Sequence, residues 1–198
     1  KEIEKPSAAR KKPDCPVFDI CGGCQLQHMD YQGQLEAKKE IVREAFAKYT
    51  ALSDPPIRPV EGMDRPWHYR NKAQVQTGLM NGELAVGLYA PGTHRLVDTS
   101  GCPIQHPGIN RAVETAKEIL RELHIPPYNE RKKTGVIRTI VARISRSSGK
   151  IQLTFVTATP ELPRKNELIA KIRERMPEIE TIAQNINPKK TSLIFGEK

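Results

Sequence analysis

The chain of 198 residues is expected to form an α+β fold: a mostly antiparallel sheet built from two hairpins, with flanking helices and a cysteine-rich loop. Three observations predict it. Two stretches alternate apolar and polar residues with period two, each interrupted by a tight-turn sequence. Three stretches carry apolar stripes at helical spacing. These two kinds of segment interleave along the chain, and no internal repeat is present.

Taken in order, residues 1–14 (KEIEKPSAARKKPD) are polar, basic and proline-punctuated, and are expected to be a disordered linker. The stretch from Cys15 to His28 is too short and glycine-rich for regular structure. A helix is expected over Tyr31–Tyr49, where Leu35, Val42, Ala45, Phe46 and Tyr49 form a stripe with Ile41 beside it. Ser53-Asp54-Pro55-Pro56 stops it.

The first hairpin follows. Val75, Thr77 and Leu79 alternate with Gln74, Gln76 and Gly78, and Asn81-Gly82 suits a two-residue type I′ turn before Leu84, Val86 and Leu88 return. That turn sets Leu79 against Leu84, Thr77 against Val86 and Val75 against Leu88. One face is then apolar, and the other carries Lys72, Gln74, Gln76 and Tyr89.

A second helix is expected from Pro107 to His124, on the stripe Ile109, Ala112, Val113, Ala116, Leu120 and Leu123. A second hairpin spans 135–146 and 150–157 and turns at Ser147-Ser148-Gly149. A third helix lies near 163–175, followed by a strand near 180–187. The main domain is expected to occupy 15–188. Residues 189–198 would begin a connection to a further domain, the chain being read as a piece of a longer protein because it opens on Lys1.

Lys and Arg number 32 against 23 Asp and Glu, a net charge of +9. That excess favours a polyanionic partner, nucleic acid first among them, although a merely solvated basic surface explains it equally well. No apolar run approaches the roughly 20 residues of a membrane span, and no signal-peptide stretch opens the chain. A cytoplasmic, monomeric protein with no membrane partner is expected.

Four cysteines without a secretory signal read as thiols for metal or redox chemistry rather than as disulfides. Cys15, Cys21 and Cys24 fall within ten residues, and Cys102 stands far along the chain. Pro16 and Pro103 stiffen the backbone just beyond two of them. Gly22 and Gly23 let peptide N–H groups approach the sulfurs. The spacing suits an iron–sulfur cube closed by a returning loop. A four-thiolate zinc site remains open on spacing alone, as Cys21-x2-Cys24 is also a zinc knuckle.

Trp67-His68-Tyr69-Arg70-Asn71-Lys72 leads into the first hairpin. Aromatic rings stack on exposed bases, Arg and Lys hold phosphates, and Asn reads a base edge. Equally, the two aromatics could anchor a loop to the sheet while the cations stay solvated. Arg131-Lys132-Lys133, Arg138, Arg143, Arg146 and Lys189-Lys190 add unspecific positive charge. His94, His106 and His124 have no evident acid or nucleophile partner. No phosphate loop, cofactor fingerprint or Ser/His/Asp arrangement is present.

Together, Cys15-Pro-x4-Cys21-Gly-Gly-Cys24-Gln-Leu-Gln-His28, Tyr31, Tyr69-Arg70-Asn71-Lys72, Gly87-Leu88-Tyr89, Val97-Asp98 and Cys102-Pro-Ile-Gln105 resemble the RNA uracil-5-methyltransferases. The resemblance runs from Cys15 onward, in order and at similar spacing. It implies S-adenosylmethionine-dependent methylation of uridine C5. It further implies a [4Fe–4S] cluster on Cys15, Cys21, Cys24 and Cys102, as in the ribosomal branch, and hence 23S rRNA as substrate.

The same family has an N-terminal RNA-gripping domain, a central cluster-bearing domain and a C-terminal methyltransferase domain. This chain resembles the central one, with His68, Tyr69, Arg70, Asn71, Lys72 and Gln76 on its RNA side. With all four cysteines assigned to the cluster, none remains as the nucleophile such enzymes add to uracil C6. The chain alone is therefore expected to be inactive. A stand-alone zinc- or cluster-bearing nucleic-acid-binding module is the alternative, and a small electron carrier is a third.

Overall fold

The computed structural model describes residues 3–52, 54–189 and 193–197. Ser53 of the expected helix stop, the first two residues of the expected linker, Lys190, and residues 191, 192 and 198 of the expected connection lie outside them. The chain divides into two compact units, Lys1–Pro66 and Trp67–Lys198, a finer division than the single span 15–188.

In the first unit, residues 9–11 run along residues 28–30. Lys11 N–H donates to the His28 carbonyl at 2.9 Å and Asp30 N–H to the Ala9 carbonyl at 2.8 Å, around an antiparallel bridge between Arg10 and Met29. This part of the expected linker thus has definite backbone partners, because the chain before the cysteines supplies acceptors and donors to the chain after them. A single helical turn, α1 (Phe18–Cys21), ends on Gly22 at φ 68°. Four residues are too few for a periodicity to reveal.

Helix α2 (Tyr31–Tyr49) has its expected bounds and is capped by Asp30, whose Oδ1 accepts from Gly33 N–H at 2.7 Å. Its stripe does not form a core, however. No residue of α2 is buried, and Ile41 and Tyr49 are 61% and 75% exposed. A periodic stripe shows which side of a helix could be covered. Among its described residues this unit holds no sheet to cover it.

The second unit is one six-stranded sheet in the order β3-β2-β1-β4-β5-β6. Its strands are β1 (Lys72–Met80), β2 (Glu83–Tyr89), β3 (Leu96–Asp98), β4 (Ile137–Ile144), β5 (Ile151–Thr157) and β6 (Ile179–Ile186). All neighbours pair antiparallel except β5 and β6, which run parallel across the helix between them, α4 (Lys165–Arg175). Asn81 and Gly82 turn the first hairpin at φ 53° and 84°, as a type I′ turn requires. Leu79 faces Leu84 and Thr77 faces Val86. The β1–β2 ladder stops at Gln76–Gly87, one step short of the expected Val75–Leu88 pair.

The sequence gives no sign of β3, since three residues carry no alternation. It depends on Gly87. A Cβ there would sit 1.8 Å from the Val97 carbonyl oxygen, so only glycine lets β3 approach.

Helix α3 (Pro107–Glu122) starts on His106, whose Nδ1 accepts from Gly108 N–H at 3.1 Å. It ends at Glu122, two residues before the expected position, and the chain turns through a left-handed His124 just beyond. Its whole predicted stripe is buried. It covers the sheet face that carries Ala73, Val75, Ile140, Ala142, Leu153 and Phe155, which are register neighbours across β1, β4 and β5. Leu168 and Ile172 of α4 complete this core. Period two therefore leaves Lys72, Gln74 and Gln76 on the opposite face.

Candidate functional site

The three clustered cysteines belong to the first unit. All are half-buried thiols. Cys21 closes α1, its N–H donating to the Val17 carbonyl at 2.8 Å, and the left-handed Gly22 then turns the chain towards Cys24. Burial pushes the Cys15 thiol up, a hydrogen bond from the Val17 backbone pulls it the other way, and the charges of Cys21 and Cys24 raise it further.

Behind them lies Gln27, 8% exposed. Its Oε1 accepts from the Cys15 N–H at 3.2 Å, while its buried Nε2 has no hydrogen-bond partner. A buried orphan donor beside a thiol cluster fits a sulfur-rich centre, which offers many weak acceptors.

Cys102 belongs to the second unit, between β3 and α3. The four expected ligands are thus divided between the two units. Among the described residues, no group of three or more His, Cys, Asp or Glu side chains is assembled to hold a metal ion. Neutral thiols have no mutual attraction that would converge them, since ligand convergence is driven by the metal itself.

What the second unit does assemble is a strap between the Cys102 loop and the start of β1. His68 N–H donates to the Pro103 carbonyl at 3.0 Å and Arg70 N–H to the Ile104 carbonyl at 2.8 Å. His106 N–H returns to the Arg70 carbonyl at 2.9 Å. The His68 ring adds Nδ1 to the Gln105 carbonyl at 3.0 Å; because a carbonyl only accepts, Nδ1 carries the proton. His68 sits at φ 57°, a left-handed conformation unusual for a side-chain-bearing residue. From the other side, Arg146 donates to the His68 carbonyl at 3.0 Å. Cys102 itself is held by Asn110 of α3, whose Nδ2 donates to its carbonyl at 3.0 Å.

The strap brings the expected RNA-facing residues together in part. His68, Tyr69, Arg70 and Asn71 are exposed, with Tyr69 at 42%. Lys72 and Gln76 are half-buried on the sheet face opposite α3, where register sets Lys72 beside Arg143 and Gln76 beside Thr139. Thr139 Oγ1 donates to Gln76 Oε1 at 3.0 Å, so Gln76 is partly committed within the sheet.

Arg143 joins this face through β1–β4 pairing, which links positions far apart in sequence. Charge alone had not distinguished it from the other basic residues. Arg131, Lys132 and Lys133 form an exposed loop tip held by Asn129, whose Oδ1 accepts from the backbone of the first two. Arg138 is spent on structure: it donates to the Asn187 and Lys189 carbonyls and lies over the Tyr128 ring. His94 meets Glu130 at 3.2 Å and packs on Tyr89, so it has the acid partner that the sequence did not reveal. No described helix is long and apolar enough to cross a membrane.

No protein-family model matches the chain. It is 46% identical, over its whole length, to proteins named uncharacterized RNA methyltransferases from Halalkalibacterium halodurans and Bacillus anthracis. The chain spans 43% of the length of each. Its fold is similar to that of Pyrococcus abyssi tRNA (uracil-54, C5)-methyltransferase, solved with S-adenosyl-L-homocysteine. The TM-score is 0.68 and the identity 22%, covering 98% of this chain and 42% of that one.

Proposed function

We propose that this chain is the central, RNA-holding part of an S-adenosylmethionine-dependent methyltransferase that modifies uridine C5 in 23S rRNA. The observation that supports the RNA methyltransferase reading is similarity, over the whole of this chain and 43% of theirs, to relatives bearing that name. The uracil-C5 reading is supported by the motif resemblance and by the fold shared with a uracil-C5 enzyme. The ribosomal target is supported by the four-cysteine set.

On this reading Cys15, Cys21, Cys24 and Cys102 would hold a [4Fe–4S] cluster. Bound there, it would serve as a rigid crosslink between distant chain segments. The half-buried thiols, the paired Cys-Pro steps and the orphan amide of Gln27 fit a cluster better than a zinc site, whose thiolates are filled by one ion. The chain's own residues do the positioning. Through the strap, fixing Cys102 fixes the backbone of His68 and Arg70. Arg70, Lys72 and Arg143 then present cations to phosphates, while Tyr69 and Asn71 offer a stacking surface and a base-edge donor and acceptor.

A target uridine in folded RNA must be unstacked before its C5 is reached. A rigid basic surface beside the catalytic domain would keep the opened RNA in place. Uracil C5 becomes nucleophilic only after a thiolate adds to C6. With the four cysteines here engaged as ligands, that thiolate and the methyl donor's pocket would come from outside this chain.

The test is methyl transfer from labelled S-adenosylmethionine to 23S rRNA by the intact protein, with the product nucleoside identified by mass spectrometry. 5-Methyluridine is expected from the intact protein and none from the 198-residue chain. A methyl group on another atom, or on transfer RNA only, overturns the assignment. Arg70→Ala and Lys72→Ala should each weaken RNA binding and lower its salt slope by about 1; unchanged slopes would remove these residues from the interface.

A further inference from the structure

We infer that the loop from Asn129 to Thr134 is a prefolded phosphate clamp, which sets the side chains of Arg131, Lys132 and Lys133 against the phosphodiester backbone of bound RNA. This rests on the RNA-holding reading above. It goes beyond that reading by assigning a second contact region, which shares no residue with the strap or with the Lys72–Arg143 face.

Three consecutive cations repel one another, so an unconstrained chain would spread them into solvent. Here the backbone beneath them is fixed. Asn129 and Thr134 form an antiparallel bridge, Asn129 N–H donating to the Thr134 carbonyl at 2.7 Å. Asn129 Oδ1 accepts from Arg131 N–H at 3.1 Å and from Lys132 N–H at 3.0 Å. Lys133 completes the turn at φ 54°. Gly135 lets the two legs of the loop close, because a Cβ there would lie 2.0 Å from the Pro127 carbonyl oxygen. At the base, Tyr128 N–H donates to the Ile137 carbonyl of β4 at 2.6 Å.

The charges of the loop are unequally engaged. Its one acid, Glu130, is already partnered: its carboxylate meets Arg138 at 3.4 Å and His94, from the turn between β2 and β3, at 3.2 Å. Arg131, Lys132 and Lys133 are all exposed, and no ion pair among the described residues engages them. A fixed backbone gives up little conformational freedom on binding, and each cation that meets a phosphate releases condensed counterions. The segment NERKKT holds no apolar side chain to enter a bilayer interface. It also holds no ring to stack on a base, so its contacts position the RNA without reading sequence.

The intact protein is titrated with a 23S rRNA transcript over a range of salt. Arg131→Gln, Lys132→Gln and Lys133→Gln combined should lower the slope of log affinity against log salt by about 2–3 and weaken binding about 10²-fold near ~0.1 M salt. Arg131→Lys, Lys132→Arg and Lys133→Arg combined keep the charge and should keep the slope. Lys38→Gln, Lys48→Gln and Arg173→Gln combined remove three exposed cations elsewhere. That control should stay within about 0.5 of the wild-type slope, since charge far from the RNA is screened beyond about 10 Å.

A wild-type protein that does not bind the transcript would overturn the RNA reading on which the clamp rests. Wild-type binding with an unchanged slope in the loop variant would overturn the clamp and leave that reading standing. Equal slope losses in the loop and control variants would overturn it as well, because net charge and not contact would explain both. Phosphatidylglycerol vesicles that retain the wild type and not the loop variant, with equal rRNA slopes, would make the loop a lipid contact instead.

Discussion

Glu122 at the end of α3 receives both guanidinium nitrogens of Arg175 at the end of α4, each at 2.6 Å, and Lys171 adds a third contact at 3.2 Å. These partners pull its carboxyl from the ordinary 4.5 down to about 2, hydrogen bonding to Arg175 contributing most. Because the folded value is depressed, the stabilisation is complete above about pH 4.5 and is lost as pH falls towards 2. The pair is exposed, so solvent screening keeps the effect small. Glu122→Gln should flatten the dependence of urea midpoint on pH within that window and leave its shape above pH 5 alone. An unchanged acid slope would show that the fork is idle.

Gly87→Ala should be severe for so small a change. The new Cβ would collide with the Val97 carbonyl, and backbone cannot step aside as a flexible side chain can. A loss of about 1–3 kcal/mol is expected from overpacking, read by denaturant unfolding and by faster hydrogen exchange in β3. A variant as stable as the parent would mean that β3 separates at no cost.

At His68 two effects oppose each other. His68→Gly relieves the left-handed backbone and removes the ring bond to Gln105; His68→Ala removes the bond and keeps the strain. The alanine variant should therefore be the less stable, with the ring bond worth about 1 kcal/mol and the glycine regaining part of that loss. The reverse order would show that the left-handed backbone at His68 carries no strain for glycine to relieve.

Phe155 and Ile41 test where the core lies. Phe155, 1% exposed, should cost about 3–5 kcal/mol as alanine. Ile41, 61% exposed, should stay within about 0.5 kcal/mol of the parent in this chain.

That contrast marks how far the sequence could be read. The β1–β2 register was legible because Asn81-Gly82 permits only one two-residue turn, and the α3 stripe because a sheet was waiting to cover it. The α2 stripe was equally periodic and remained exposed, since periodicity reports what could be buried and not what covers it. Strand β3 was invisible: its existence depends on the missing side chain of Gly87, not on any pattern in Leu96–Asp98. At the candidate site, the cysteine spacing and the basic–aromatic entry to β1 stood out in sequence. The strap between Cys102 and Arg70 did not, because it consists of backbone hydrogen bonds that leave no compositional trace. Gln27 was present in the quoted motif, but only the structure shows that its Oε1 accepts from Cys15 N–H while its buried Nε2 has no partner.

The strand order has a kinetic meaning. Strands β1, β2 and β3 follow one another along the chain and sit side by side, as do β4 and β5, with β6 one helix away. Each of these pieces can form from local chain closure, on the fast timescale of hairpins. One seam cannot: β1 against β4, where Ala73 must find Ala142 across the intervening loop and α3. Its loop-closure entropy must be overcome before any of its contacts stabilise the chain. Pairing along that seam should accordingly be the slow step in the assembly of the second unit, and α3, which packs on both β2 and β4, bridges its two sides.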